Sequence, residues 1–222
     1  MEEKKKVTIS KMGIILIIAC FLVLVGIVTI IVLAVSKEEK GPQIITKVNE
    51  IVGYNYYLQD NDTTYISDTF YELKDILDNK ESTDITIFEE EYAKVVSKLF
   101  VAKFYTLSNK LSSYDIGGVE FLNPFIKENF ILKAKNTLYK YIEVNPDEHL
   151  NANLPTVIGV DVVSVKQENV SYANNEYTDD LAYKVEVSVT YEADLGYSNK
   201  VEVILVHNDN KIDIVAIKDI TG

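Results

Sequence analysis

An uninterrupted uncharged run, Met12 to Val35 (MGIILIIACFLVLVGIVTIIVLAV), constrains this chain more than any other segment. At about 1.5 Å of rise per residue it would reach roughly 36 Å as a helix, enough to cross a hydrocarbon core of about 30 Å with some tilt. So uniform a run has no polar face to show to water, which argues against a core helix. The apolar core of a signal peptide, about 7 to 15 residues, is shorter, although Ala34-Val35-Ser36 would pass as a small-residue cleavage site. Ile17-Ile18-Ala19-Cys20 is similar to a bacterial lipobox, yet the chain stays apolar from Phe21 to Val35, where a mature lipoprotein would turn polar. The run therefore predicts a single transmembrane helix over 12–35, contacting the lipid bilayer, with Cys20 packing as a small apolar residue.

Orientation is read from the flanks. Lys4, Lys5, Lys6 and Lys11 precede the run, whereas Lys37 and Lys40 follow it beside Glu38 and Glu39. Cationic residues tend to remain cytoplasmic. The expected organisation is a cytoplasmic tail (1–11), the span (12–35), a linker (36–44) and an extracytoplasmic domain (45–222). That is a single-pass protein of the cell membrane with its C-terminal domain extracellular. Cys20 is the only cysteine, so the expected ectodomain carries no thiol to protect or pair in an oxidising compartment. Arginine and tryptophan are absent while Lys and Tyr are abundant, a codon signature of a low-GC bacterium. Asn61-Asp62-Thr63 and Asn169-Val170-Ser171 are formal glycosylation sequons, relevant only outside such a host.

Residues 1–40 hold six Lys and four Glu, so the chain's net charge of -12 leaves -14 on the remainder. A domain so acidic repels phosphate backbones, which excludes nucleic acid as the expected partner.

Beyond the linker, the hydrophobic period is first helical. Ile66, Phe70, Leu73 and Leu77 mark one helix, with Ser67 or Thr69 as its cap and Asp78-Asn79-Lys80 as its end. Phe88, Tyr92, Val95, Val96, Leu99, Phe100, Phe104, Leu107 and Leu111 predict a long helix over 87–111, with Glu90 and Lys94 as an i, i+4 pair. Glu89-Glu90-Glu91 is read as its acidic first turn. Gly117-Gly118 breaks the pattern, and Asn123-Pro124 opens a third helix whose apolar face is Ile126, Phe130, Ala134, Leu138 and Tyr141. From Thr156 the period becomes two. Tyr183, Val185, Val187, Val189 and Tyr191 alternate with polar residues, and companion strands run over 157–170, 200–207 and 211–218. His207 to Lys211 is read as a hairpin turn, and Asn49 to Leu58 as an edge strand. The expected fold class is α+β: about three helices packed on a curved antiparallel sheet of four to five strands.

This order of elements resembles the nuclear transport factor 2-like (cystatin-like) superfamily. Within it, a short tail, one span and one such domain resemble the extracytoplasmic assembly proteins of bacterial conjugation and type IV secretion machines. The resemblance covers residues 45–219 in element order only and implies a sheet curled around a long helix. It transfers no functional residue, and the strand at Asn49 to Leu58 departs from a superfamily that usually begins with helix.

The search for chemistry excludes more than it finds. Asp60-Asn61-Asp62-Thr63-Thr64 opens like a calcium loop, but Tyr65 stands where Gly is needed and Tyr71 where a bidentate Glu is needed, so it is read as a helix-entry turn. His149 and His207 are too few for a zinc site and are read as loop or turn residues. There is no nucleophile elbow and no phosphate loop. No catalytic, cofactor-binding or metal residue is assigned, and no cofactor. Tyr54, Tyr56, Tyr57, Tyr65 and Tyr71 cluster in one segment, where core or rim packing outweighs a partner surface. The expected function is a non-enzymatic, membrane-tethered scaffold that binds other envelope proteins. A small-molecule or lipid-binding ectodomain is the alternative, and a pocket enzyme with an Asp or Glu base the third reading.

Overall fold

Thr63 ends the turn after the first two strands and starts the first helix, its hydroxyl accepting from the Ile66 amide. That junction sets how the rest of the chain packs. The structure, a computed structural model, describes residues 47–140, 142 and 154–220. The elements, in order, are β1 (Lys47–Ile51), β2 (Tyr56–Gln59), α1 (Thr64–Asp78), α2 (Ile85–Tyr105), α3 (Pro124–Asn136), β3 (Val157–Tyr172), β4 (Tyr177–Tyr191), β5 (Lys200–Asn208) and β6 (Lys211–Asp219). Short 3-10 turns at Lys80–Ser82 and Val119–Phe121 precede α2 and α3.

The sheet is antiparallel in the order β3-β4-β5-β6. Its inner face carries the alternation read from β4: Val185 and Val187 are buried, between half-buried Lys184, Glu186 and Ser188. Val203, Leu205 and Ile214 continue that face. The β3–β4 ladder shifts register three times, and β6 bulges once, with Val215 as the extra residue between Ile214 and Ala216. Each shift bends and twists its strand.

Helix α2 packs on α1 and on β3 and β4. Asp84 caps it by accepting from the Thr86 and Ile87 amides, 3.0 and 3.4 Å. From Leu99 to Tyr105 every residue is buried, so the end of this helix lies inside the protein instead of along its surface. Phe100 and Phe104 stack at 5.6 Å, and Phe130 of α3 meets both rings.

Several expectations are corrected. The run 12–35 lies outside the described residues, and no helix among the described residues is long and apolar enough to cross a membrane. The longest, α2, carries Glu89, Glu90, Glu91, Lys94, Lys98 and Lys103. The single-pass fold class and the cell-membrane localisation are withdrawn accordingly. The sheet has four strands, because Asn49 to Leu58 folds back on itself: Gly53 (φ +89°) and Asn55 (φ +58°) turn the chain, and β1 pairs with β2 in a separate ribbon. Helix α2 stops at Tyr105 and not at Leu111, since the Leu107 and Ser108 amides donate to the Pro155 carbonyl. Glu89, Glu90 and Glu91 occupy its second turn, and Lys94 bridges Glu90 and Glu91 at 2.6 and 2.8 Å. Helix α1 is capped by Thr63, ahead of both Ser67 and Thr69. Asn123 and Pro124 start α3 as expected, but it ends at Asn136. Tyr141 and His149 lie outside the described residues.

Candidate functional site

The outer end of the β3–β4 hairpin follows from its length. Strand β5 pairs with β4 only over Tyr183 to Ser188, whereas the β3–β4 ladder continues to the pair Tyr172 and Tyr177. The last part of the hairpin is thus a two-stranded arm. Its loop is closed by Ala173, Asn174 and Asn175, all at positive φ, with the Glu176 amide donating to the Ala173 carbonyl. Successive left-handed residues favour Asn, which tolerates this region better than most L-residues.

An aromatic ladder covers the arm. Tyr172 and Tyr177 stack across the strands at 5.7 Å, and Phe125, from the first turn of α3, stacks on Tyr177 at 4.2 Å with 22° between planes. Phe125 is 57% exposed and Tyr177 36% exposed. Offset stacks of this kind stabilise by about 0.5–1.5 kcal/mol beyond area burial. At the base of the arm, Asp179 accepts from the His207 amide (2.7 Å) and lies 2.8 Å from its Nδ1, and the Leu181 amide donates to its other oxygen. Partial burial works against the Asp179 charge, but these hydrogen bonds and the His207 ring prevail and hold the carboxyl below its usual range. His207 Nε2 lies 3.6 Å from Glu89 on α2. His207 is thus a strand residue that ties arm, sheet and helix, correcting its expected place in a turn.

A second cluster is buried behind β2. Lys103 Nζ donates to the Tyr57 carbonyl (2.6 Å) and to Glu120 (2.7 Å), and lies 3.4 Å from Asp62, with all three side chains at most 5% exposed. Burial opposes the Lys103 charge, yet Glu120 and Asp62 outweigh it and raise its pKa. Lys110 is buried nearby. Desolvation lowers its pKa, and the Asp115 and Asp62 carboxylates offset part of that shift. Asn61 and Asn109 donate reciprocally to each other's carbonyl oxygens, 2.6 and 2.9 Å, which clips the 60–63 turn to the loop after α2. The calcium-like segment is therefore a helix-entry turn, as its missing Gly indicates. Asp62 accepts from the Gln59 amide and Thr63 caps α1. Among the described residues no group of three His, Cys, Asp or Glu is placed to hold a metal ion.

The 3-10 turn before α3 and the β5–β6 turn flank a polar depression of about 620 Å³ lined by Lys47, Tyr57, Glu120, Lys127, Lys211 and Asp213, among others. Burial pushes the Asp213 carboxyl up, against the Asn208 amide at 2.5 Å and the Lys211 and Lys127 charges. Of the tyrosines in the first segment, Tyr56 is buried and bonds the Tyr92 hydroxyl (2.7 Å), while Tyr54 and Tyr65 pack half-buried against the core, so packing accounts for most of them. Tyr71 is exposed. Sequence reasoning missed the arm and both buried lysines. The Asn174-Asn175 pair between two tyrosines could have revealed the arm, whereas Lys103 and Lys110 have no local signature. No family model matches the chain, and neither a curated protein nor a solved structure matches it.

Proposed function

We propose that this chain is a non-catalytic protein-binding component, a scaffold or assembly part, that docks a partner through the Phe125–Tyr177–Tyr172 ladder. The observation carrying this reading is the exposed stack on a two-stranded arm. Aromatic rings dominate interface energetics, and an arm clamped by Asp179 and His207 loses little freedom on binding. The partner has a cationic rim around an apolar pocket. The chain carries a net charge of -12, and Glu128, one turn after Phe125, and Glu176, at the arm's loop, add negative charge beside the rings. The carboxylates of the depression do not favour catalysis, since Glu120 is held by Lys103 and Asp213 by Asn208.

A photo-crosslinking residue at position 177, introduced in the native cell, tests this reading. The expected result is one discrete adduct that is lost in Phe125→Ala and weakens as salt rises. Identical products from position 177 and from a control at Lys200 would overturn it, as would an adduct indifferent to Phe125→Ala. An adduct of two copies of this chain would replace the cationic partner with self-association.

A further inference from the structure

The polar depression holds an unusual charge balance for so acidic a chain. Lys47 from β1, Lys127 from α3 and Lys211 from β6 all line it. None of the three forms an ion pair among the described residues. Neutral partners position the ammonium groups of Lys47 and Lys211, and Lys127 acts on the Asp213 charge. Lys47 lies 4.1 Å over the Tyr57 ring, and Lys211 donates to the Tyr54 carbonyl at 2.6 Å while lying 5.4 Å from the Tyr56 ring centre. Rings and carbonyls orient a cation without cancelling its charge. The acids at the wall cancel it only in part. Glu120 is committed to Lys103, and Asp213, whose pKa burial raises, faces the Lys211 and Lys127 charges. Asp209, at the tip of the β5–β6 turn, is the remaining carboxylate lining the depression.

We propose that this depression binds a small organic oxyanion, a carboxylate or phosphate carried on a polar body. Three ammoniums against the Asp209 and Asp213 carboxylates leave positive charge in excess in a concave site, which focuses its potential and attracts an anion that the rest of the acidic chain repels. A volume of about 620 Å³ exceeds what a bare ion fills and lies within the range of ligand pockets. The side-chain amides of Asn55 and Asn210 offer donors and acceptors for hydroxyl groups on the ligand body. Lys47 and Lys127 hold the oxyanion, and Lys211, anchored on Tyr54, shapes the floor.

Calorimetric titration of the full-length chain with citrate, glucose 6-phosphate and inorganic phosphate tests the site. Saturable binding of citrate or glucose 6-phosphate is expected, tighter than that of phosphate, and which organic probe binds separates a carboxylate from a phosphate ligand. The Lys47→Gln, Lys127→Gln double variant should bind at least about tenfold more weakly, a loss of about 1.4 kcal/mol. Lys127→Arg, which keeps the charge, should retain binding and so separates charge from misfolding. Phe125→Ala should leave the titration unchanged, which keeps the site distinct from the partner surface. No saturable heat from any probe, binding of phosphate alone, or full binding by the double variant would overturn the proposal.

Discussion

The Tyr65 hydroxyl on α1 sits at the edge of the sheet, receiving the Val160 amide at 2.8 Å and donating to the Val160 carbonyl at 3.1 Å. One phenol thus occupies both outward-facing backbone groups of Val160, a residue of the edge strand β3. Unpaired edges template pairing with other chains, and natural folds cover them.

Tyr65→Phe leaves that amide and carbonyl without their partner. The expected cost is about 1–2 kcal/mol in urea unfolding, with faster hydrogen exchange at Val160 than at its β4-paired neighbours.

Lys103 is the hub of the buried cluster. Lys103→Met leaves the buried Glu120 and Asp62 side chains without their cation, and should cost about 3–5 kcal/mol. Lys74→Met removes an exposed ion pair to Asp78, which solvent screens, and should cost far less. Equal losses in the two variants, measured by chemical denaturation, would refute a special role for the buried cluster.

Gly117 lies against the end of α2, where a Cβ would come 2.0 Å from the Lys103 carbonyl oxygen. Gly117→Ala must displace backbone and should destabilise by about 3 kcal/mol or more. Gly53 has φ +89° but open space around it, so Gly53→Ala carries only the left-handed penalty, about 1–2 kcal/mol. Thermal unfolding of both variants should show that order.

Asp213 titrates higher in the folded chain than in the unfolded one because it is buried. The native state therefore binds more protons across the window from about 3.9 up to the raised value, and stability falls as pH rises through it. Asp213→Asn removes this fall. The variant should be more stable than the parent at pH 7 and show no such advantage at pH 3, as read from urea midpoints at both values. A pH-independent difference would rule out the linkage.

Helices α1 and α2 and the inner half of β4 could be read without a structure, because burial along a regular element repeats every 3.6 or 2 residues. Asn123-Pro124 was equally plain, since a cap and a proline act within one turn. The β1–β2 ribbon was not, because Tyr-rich alternation looks the same in one strand or two until Gly53 and Asn55 take positive φ. Lys103 reads as another polar residue on a helix, and its burial depends on Glu120, 17 residues on, and on the Tyr57 carbonyl, 46 residues back.

Element type and the face each element buries were settled locally by periodicity, caps and turn residues. The arm's aromatic ladder, the buried ion pairs and the cationic depression were decided only in three dimensions. Each joins residues from separate elements, and whether a charge is desolvated, paired or left facing a cavity depends on which segments fold against it, a property no local pattern encodes.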